Sequence, residues 1–149
     1  AINDDGILRD FAMTNDRVVG FEDVGVALQD FNVATLQGLR VNGLGLGVTG
    51  VDIKDVTVAF IGQSRIKNTE VGLSLNQAGF TILDTLRIRD ASRIGVSAVD
   101  TDVLQVSDTR VRNAGDTGMY FQDIGTLILS YNRISDATTG LHLAGRTTG

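Results

Sequence analysis

The sequence predicts an all-β fold, a parallel β-helix of about six coils, from two repeating markers and the apolar columns beside them. The first marker is a glycine followed by an apolar residue, and it recurs at intervals of 22 to 25 residues: Gly25, Gly47, Gly72, Gly95, Gly118 and Gly140. The second is an arginine followed by Val or Ile: Arg17, Arg40, Arg65, Arg87, Arg110 and Arg133. Two markers that keep phase through six repeats indicate one structural unit stacked on itself.

Apolar residues at fixed positions before each arginine predict the strands of the coil. Four positions before arginine the residues are Met13, Leu36, Ile61, Leu83, Val106 and Leu129. Six positions before it they are Phe11, Ala34, Ala59, Thr81, Leu104 and Leu127. Positions two residues apart point to the same side of a strand. Each repeat is therefore expected to hold about three short strands with one face buried, and the Val or Ile after each arginine points inward.

Polar columns predict the corners between these strands. Three residues after arginine stand Gly20, Gly43, Asn68, Asp90, Asn113 and Asp136, and five after the marker glycine stand Asp30, Asp52, Gln77, Asp100 and Asp123. Gly, Asn and Asp tolerate the left-handed backbone of a tight corner. One repeat carries three extra residues between Gly47 and Arg65, which predicts a bulged loop near residues 55–59.

Composition fits one domain over residues 1–149 and excludes several classes of site. The 149 residues include 18 Gly, no Pro and no Cys, so disulfides and cysteine chemistry are excluded. A leucine-rich repeat would need a helical half, and no helical period is present. No apolar run is long enough to span a membrane, and the net charge of −5 argues against general nucleic-acid binding. Neither end shows a capping helix, so we expect an interior portion of a longer protein, or ends that associate end to end or in trimers.

Three runs carry a resemblance to a known group: NTEVGLSL, DASRIGVSAVDTDVLQVSDTRVRNAGDTGMYF and SYNRISDATTGLHL. They resemble right-handed parallel β-helix repeats of the pectin-lyase-like superfamily, including its carbohydrate-binding and sugar-hydrolase modules. The resemblance covers roughly residues 17–143 and implies a right-handed, single-stranded β-helix that acts on or binds polysaccharide. It is specific for fold and only weakly so for function, because such proteins include lyases, hydrolases, epimerases, tailspikes and surface proteins.

The arginine column is the first candidate site. Each arginine precedes an inward residue and so faces outward, and a second outward file follows two residues later. The candidate ligand-binding residues are Arg65, Lys67, Arg87, Arg89, Arg110 and Arg112. Stacked like charges repel, so they need a partner. An acidic polysaccharide would supply carboxylates for the guanidinium groups. The alternative is a solvated ladder neutralised by Asp16, Asp84, Asp90, Asp108 and Asp136.

Four residues are candidate catalytic groups. Tyr120 and His142 fall in one outward column (Ala27, Thr49, Ser74, Ser97, Tyr120 and His142) and are expected to be neighbours suited to acid–base work on a sugar. Asp100 and Asp123, one coil apart, are a candidate carboxylate pair for glycoside hydrolysis. The alternative for both pairs is an ordinary exposed contact or a corner. The aspartate column raises calcium as a possible ligand, although no calcium motif is present; no other cofactor or metal is expected.

Three functions follow from these residues. The leading one is an extracellular, cell-surface or virion-associated domain that recognises acidic polysaccharide through an outward basic face. The second is a structural or adhesive rod of a fibre, surface layer or tailspike shaft. The third is a polysaccharide lyase, glycoside hydrolase or uronate epimerase with an incomplete site.

Overall fold

The computed structural model describes residues 9–146, which form eight β-strands and no helix. The strands are β1 (Phe11–Thr14), β2 (Arg17–Val19), β3 (Val24–Gln37), β4 (Arg40–Gly62), β5 (Arg65–Asp84), β6 (Arg87–Ser107), β7 (Arg110–Ser130) and β8 (Arg133–Ala144). All strand pairs are parallel, in the order β1-β3-β4-β5-β6-β7-β8 with β2 paired to β4. Each strand from β4 to β7 bends at corners and carries the chain once around the axis. The predicted all-β parallel β-helix of about six coils is confirmed.

Equivalent residues of successive coils lie directly above one another, as the repeat predicts. Arg17 pairs with Arg40, and the same column continues through Arg65, Arg87, Arg110 and Arg133. Consecutive coils therefore differ by 22 to 25 residues, as the marker spacing requires. Parallel strands lie about 4.8 Å apart, so the five steps of this column span about 24 Å.

The interior is one continuous cluster of apolar side chains, most of them aliphatic, and Phe121 is its largest fully buried member. Val41, Ile66, Ile88 and Val111 are each at most 2% exposed, which confirms the inward file that follows the arginines. Val18 and Ile134, at the two ends of that file, are partly buried against the cluster. Full burial of such a side chain stabilises a fold by about 1.5–3 kcal/mol, so these files hold the coils together.

Three columns of left-handed residues turn the chain at three corners of every coil. Two were predicted, and they are occupied by Gly20, Asn68, Asp90, Asn113 and Asp136 and by Asp30, Asp55, Gln77, Asp100 and Asp123. The third, not predicted, comprises Asn15, Gly38, Gln63, Thr85, Asp108 and Tyr131, all with φ between 47° and 69°. Thr85 and Tyr131 are unusual in this conformation, which explains why composition did not reveal the third corner.

The corners divide the solenoid into three parallel sheets. The arginine sheet contains the segment that begins at each marker arginine, such as residues 17–19 of β2. The glycine sheet follows it, as in residues 24–29 of β3. The valine sheet closes the coil, as in residues 31–37 of β3.

The structure contains the predicted irregular coil, but the predicted position of its extra residues was wrong. The register shifts between Asn42 and Gly47, not near residues 55–59. Leu44 and Gly45 adopt left-handed conformations there (φ 56° and 81°), so the extra residues form a turn at the corner where Gly43 was expected. Leu46 in this turn is 68% exposed.

This shift also corrects three assignments that depended on Gly47. Gly50, not Gly47, belongs to the glycine column, because its carbonyl lies above Gly25 and its own Cβ position faces the Gly72 carbonyl. Asp52 lies in a strand, paired with Ala27 and Ser74, and Asp55 takes its predicted place at the corner. Thr49 likewise leaves the column that ends at His142.

Candidate functional site

The candidate site is built on the arginine sheet by simple alternation along each strand. The β-branched residue after each arginine points into the core, so the arginine and the residue two positions later point outward. The register then stacks Arg on Arg in the first file. The second file runs through Val19, Asn42, Lys67, Arg89, Arg112 and Ser135.

The two files border a groove of about 1040 Å³ along the outside of the coil. We call it the arginine groove; its polar lining comprises Arg17, Arg40, Asn42, Arg65, Lys67, Arg87, Arg89, Arg110, Arg112, Arg133, Ser135 and Asp136. Nine of the 13 Lys and Arg residues of the chain line it. All six candidate ligand-binding residues therefore lie together. Asn42 and Ser135 also line the groove and were not predicted, although each stands two residues after a marker arginine.

Ion pairs distinguish the two files. In the second, Arg89 Nε lies 3.3 Å from Asp90 Oδ2, and Arg112 Nε lies 3.6 Å from Asp136 Oδ2. In the first, none of the six arginines has a carboxylate within 4.0 Å among residues 9–146. A stack of like charges without counter-charges is unfavourable, so this file is suited to an anionic ligand.

The aspartates expected to neutralise the ladder do so only in part. Asp90 and Asp136 pair with the second file, as the alternative interpretation requires. Asp84 instead accepts a hydrogen bond from the Ser107 hydroxyl at 2.8 Å. Asp16 and Asp108 form no ion pair within the described residues. The solvated-ladder interpretation therefore does not account for the first file.

The aspartate column serves as a row of corners. Asp30, Asp100 and Asp123 all have left-handed backbones, at φ 61°, 52° and 52°. Asp123 Oδ1 accepts the backbone N–H of Arg146 at 3.1 Å, and its Oδ2 accepts Nε2 of Gln122 at 3.2 Å. Both hydrogen bonds lower the pKa of the Asp123 carboxyl, and the bond from the Arg146 N–H has the larger effect. A carboxyl held ionised in this way is poorly suited to act as a general acid.

Replacing Asp123 with Asn tests this corner and should give a pH signature. Because the folded-state pKa lies below its ordinary value of 3.8, the ionised carboxyl stabilises the fold above that pH, and this contribution is lost as pH falls through the folded pKa. We expect Asp123→Asn to lower the free energy of unfolding modestly at pH 7 and to approach the wild type at pH 3. Urea titrations at both pH values measure this, with Asp100→Asn at the equivalent corner as control. A deficit of equal size at both pH values would show that the charge plays no part.

Tyr120 and His142 are neighbours in the structure, as the column predicted. They pair between β7 and β8, with ring centroids 5.1 Å apart in an edge-on arrangement. The Tyr120 hydroxyl donates a 2.6 Å hydrogen bond to Oε1 of Gln122. Both rings belong to the glycine sheet, and neither lines the arginine groove. Their catalytic role stays a prediction.

The remaining candidates do not converge on one centre. Neither Asp100 nor Asp123 lines the arginine groove, so the proposed catalytic and ligand-binding sets occupy different parts of the coil. Within the described part of the chain, no group of three or more His, Asp or Glu side chains is arranged to hold a metal ion. Residues 9–146 also contain no helix long and apolar enough to cross a membrane.

Comparison with known proteins addresses the fold. No curated protein and no solved structure gives a significant match. The sequence model described as right handed beta helix region matches residues 2–149, nearly the whole length. This agrees with the coils described above and, at a coarse level, with the resemblance to the pectin-lyase-like superfamily. The chain belongs to the family of right-handed β-helix regions.

Proposed function

We propose that the chain is a β-helix domain that binds an acidic polysaccharide along the arginine groove, outside the cell or on a virion. The observation that supports this most directly is the first file: six arginines in register, with no carboxylate within 4.0 Å among the described residues. The core fixes their spacing, since an inward Val or Ile follows each arginine. The first file is therefore a preorganised row of cations without carboxylate partners among the described residues.

The chemistry of guanidinium groups favours carboxylate-bearing polymers. Arginine presents a planar fork that accepts a carboxylate through two parallel hydrogen bonds. An acidic polysaccharide offers carboxylates at regular intervals along a chain, and the first file offers guanidinium groups at intervals of about 4.8 Å over about 24 Å. A linear polymer can thus meet several arginines at once, and each weak contact adds to the total affinity.

The neutral and acidic residues of the groove suit a sugar better than a nucleic acid. Asn42 and Ser135 stand near opposite ends of the second file and can exchange hydrogen bonds with hydroxyl groups. The groove lining contains no aromatic side chain on which a base would stack.

Binding is the function that the groove supports best. Among the described residues that line it, Asp136 is the one carboxylate and already pairs with Arg112, and neither Tyr nor His is present. General acid–base catalysis on a bound polymer would need such a group within hydrogen-bond reach of the reacting atom. We therefore place polysaccharide recognition before turnover.

A titration with polygalacturonate oligomers tests the proposal. We expect binding at low salt that weakens as salt rises, since charge-assisted contacts are screened. Arg87→Ala, in the middle of the first file, should weaken binding about tenfold, which corresponds to about 1.4 kcal/mol. Isothermal titration calorimetry measures both effects, and neutral dextran should not bind.

Arg93→Ala is the matched control for this experiment. Arg93 is exposed, and its Nη1 lies 3.9 Å from Oε2 of Glu70. It does not line the groove, so the substitution removes the same charge from another surface. Its affinity for polygalacturonate should equal that of the wild type. Equal losses for Arg87→Ala and Arg93→Ala, or no binding by the wild type, would refute the groove as a binding site. Cleavage of the polymer during the titration would favour an enzyme instead.

A structural rod is the second candidate, and the continuous parallel pairing of successive coils favours it. A stack of coils in which each contacts only its neighbours forms an elongated unit whose length grows with the number of coils. Filaments seen by electron microscopy, together with no polysaccharide binding, would support a rod formed by end-to-end association.

A further inference from the structure

The two edges of the arginine groove differ in charge. Along the first file, the arginines have no carboxylate within 4.0 Å among residues 9–146, so their charge is open to a ligand. Along the second file, Arg89 pairs with Asp90 and Arg112 pairs with Asp136. Lys67 is the one cation of that file that has no ion pair in the described part of the chain. The groove is therefore strongly basic along one edge and nearly neutral along the other.

The corner that carries Asp90 and Asp136 does not require a carboxylate. Both residues have left-handed backbones with φ 57°. The same corner of other coils is occupied by Gly20, Asn68 and Asn113, which are left-handed too, at φ 70°, 56° and 62°. Gly and Asn adopt this conformation at least as readily as Asp does. The turn therefore does not explain the two negative charges, and their ion pairs with the second file need another reason.

Both carboxylates have fixed partners at the edge of the groove. Asp90 Oδ1 accepts a hydrogen bond from Nδ2 of Asn113 at 2.9 Å, while its Oδ2 lies 3.3 Å from Nε of Arg89. Asp136 lines the groove itself, and its Oδ2 lies 3.6 Å from Nε of Arg112. We call Asp90 and Asp136 the acidic rim. An anion that approaches these two arginines also approaches the rim carboxylates.

We infer that the acidic rim makes the groove select polysaccharides with one carboxylate on each sugar over more densely charged polymers. The inference rests on the proposed function and adds a selectivity to it. A sugar unit with its glycosidic bond is about as long as one coil step of about 4.8 Å, so one carboxylate per sugar matches the first file. The additional anions of a sulfated polymer have to face the second file. There the rim carboxylates repel them, and the guanidinium groups are already paired.

The exposure of the ion pairs sets the size of the effect. The side chains of Arg89 and Asp90 are 56% and 38% exposed, and those of Arg112 and Asp136 are 72% and 60% exposed. Water screens pairs of this kind, so each contributes little. Neutralising both rim carboxylates should therefore strengthen the binding of a densely charged polymer about tenfold, and the wild type should still bind such a polymer weakly.

The double variant Asp90→Asn with Asp136→Asn tests the rim. The probes are polygalacturonate and heparin oligomers of equal length at the same salt concentration; heparin carries sulfates as well as carboxylates and so has more charge per sugar. The wild type should bind heparin no more tightly than polygalacturonate. The variant should bind heparin about tenfold more tightly than the wild type does, and polygalacturonate within about twofold of the wild type. Isothermal titration calorimetry measures all four affinities. Because Asn stands at this corner in other coils, the variant should fold, and thermal melts check this.

The double variant Asp52→Asn with Asp102→Asn is the matched control. It removes the same number of carboxylates, and neither residue lines the groove. Both of its affinities should stay within about twofold of the wild type, since salt screens distant charges. An equal gain for heparin in the control and in the rim variant would show a general effect of net charge and would overturn the inference.

Two other results would also overturn it: a wild type that binds heparin more tightly than polygalacturonate, or a rim variant whose preference is unchanged. In either case, binding of polygalacturonate would leave the proposed function standing. A wild type that binds neither polymer would refute the proposed function and the inference together.

Discussion

Ile88→Asp should unfold the domain or reduce its free energy of unfolding by about 3–5 kcal/mol. Ile88 is 1% exposed and stands between Ile66 and Val111 in the inward file. An aspartate there would be a buried charge without a partner, because the surrounding core is aliphatic. Since a domain of this size is stable by about 5–15 kcal/mol, the loss is a large part of the total. Urea titration followed by circular dichroism measures it.

Two controls separate this effect from a general sensitivity of β6. Ile88→Val keeps the site apolar and should cost about 0.5–1.5 kcal/mol. Arg87→Asp introduces the same charged group at the adjacent outward position and should leave stability nearly unchanged, since it removes one member of a stack of like charges. If Arg87→Asp and Ile88→Asp were equally destabilising, the assignment of inward and outward files would be wrong.

The inward file could be predicted because its signal is repeated six times in phase. One Val or Ile after an arginine is weak evidence that the position is buried. Because successive coils stack, equivalent positions share one environment, and six such residues together indicate an inward file. The same logic grouped the arginines of the candidate site correctly. It could not predict which aspartates pair with them, because ion pairing depends on rotamers and corner geometry rather than on spacing along the chain.

The irregular coil shows where repeat logic fails. Gly47-Val48 and Gly50-Val51 both fit the marker of a glycine before an apolar residue. Only the contacts decide between them: a Cβ at Gly50 would meet the Gly72 carbonyl and the Ile66 side chain, as its equivalents do in other coils. The misplacement of Asp52 and Thr49 follows directly from this single ambiguity.

The outward apolar residues of the valine sheet, such as Val58, Phe80 and Ile82, were not predicted, for a different reason. These residues alternate along each strand with the inward residues assigned to the core. The repeat was used to find the inward positions, and the apolar character of the outward positions between them was not considered. The runs from Val56 to Ile61 and from Phe80 to Leu83 are almost continuously apolar. Such runs indicate a strand with both faces apolar. In a solenoid the second face of such a strand lies on the outside of the coil.

Gly95→Ala should destabilise the fold by about 1–3 kcal/mol, although it adds only a methyl group. A Cβ at Gly95 would lie 2.6 Å from the Gly118 carbonyl oxygen and would also clash with Cγ1 of Val111. The carbonyl belongs to the backbone of the next coil and cannot move without disturbing its ladder. Neither contact can be relieved by a simple rotamer change, so the coils must separate locally.

Gly140→Ala provides the comparison that isolates this cause. Gly140 is the next member of the same column after Gly118, but a Cβ there would meet no atom within 4 Å, because no described coil lies above it. Its φ is not positive, so alanine fits the backbone and should be neutral or stabilising by about 0.4–1 kcal/mol through the unfolded state. Thermal melts of the two variants measure the contrast. Equal destabilisation by both would mean that the column needs glycine for backbone conformation and not for the close approach of successive coils.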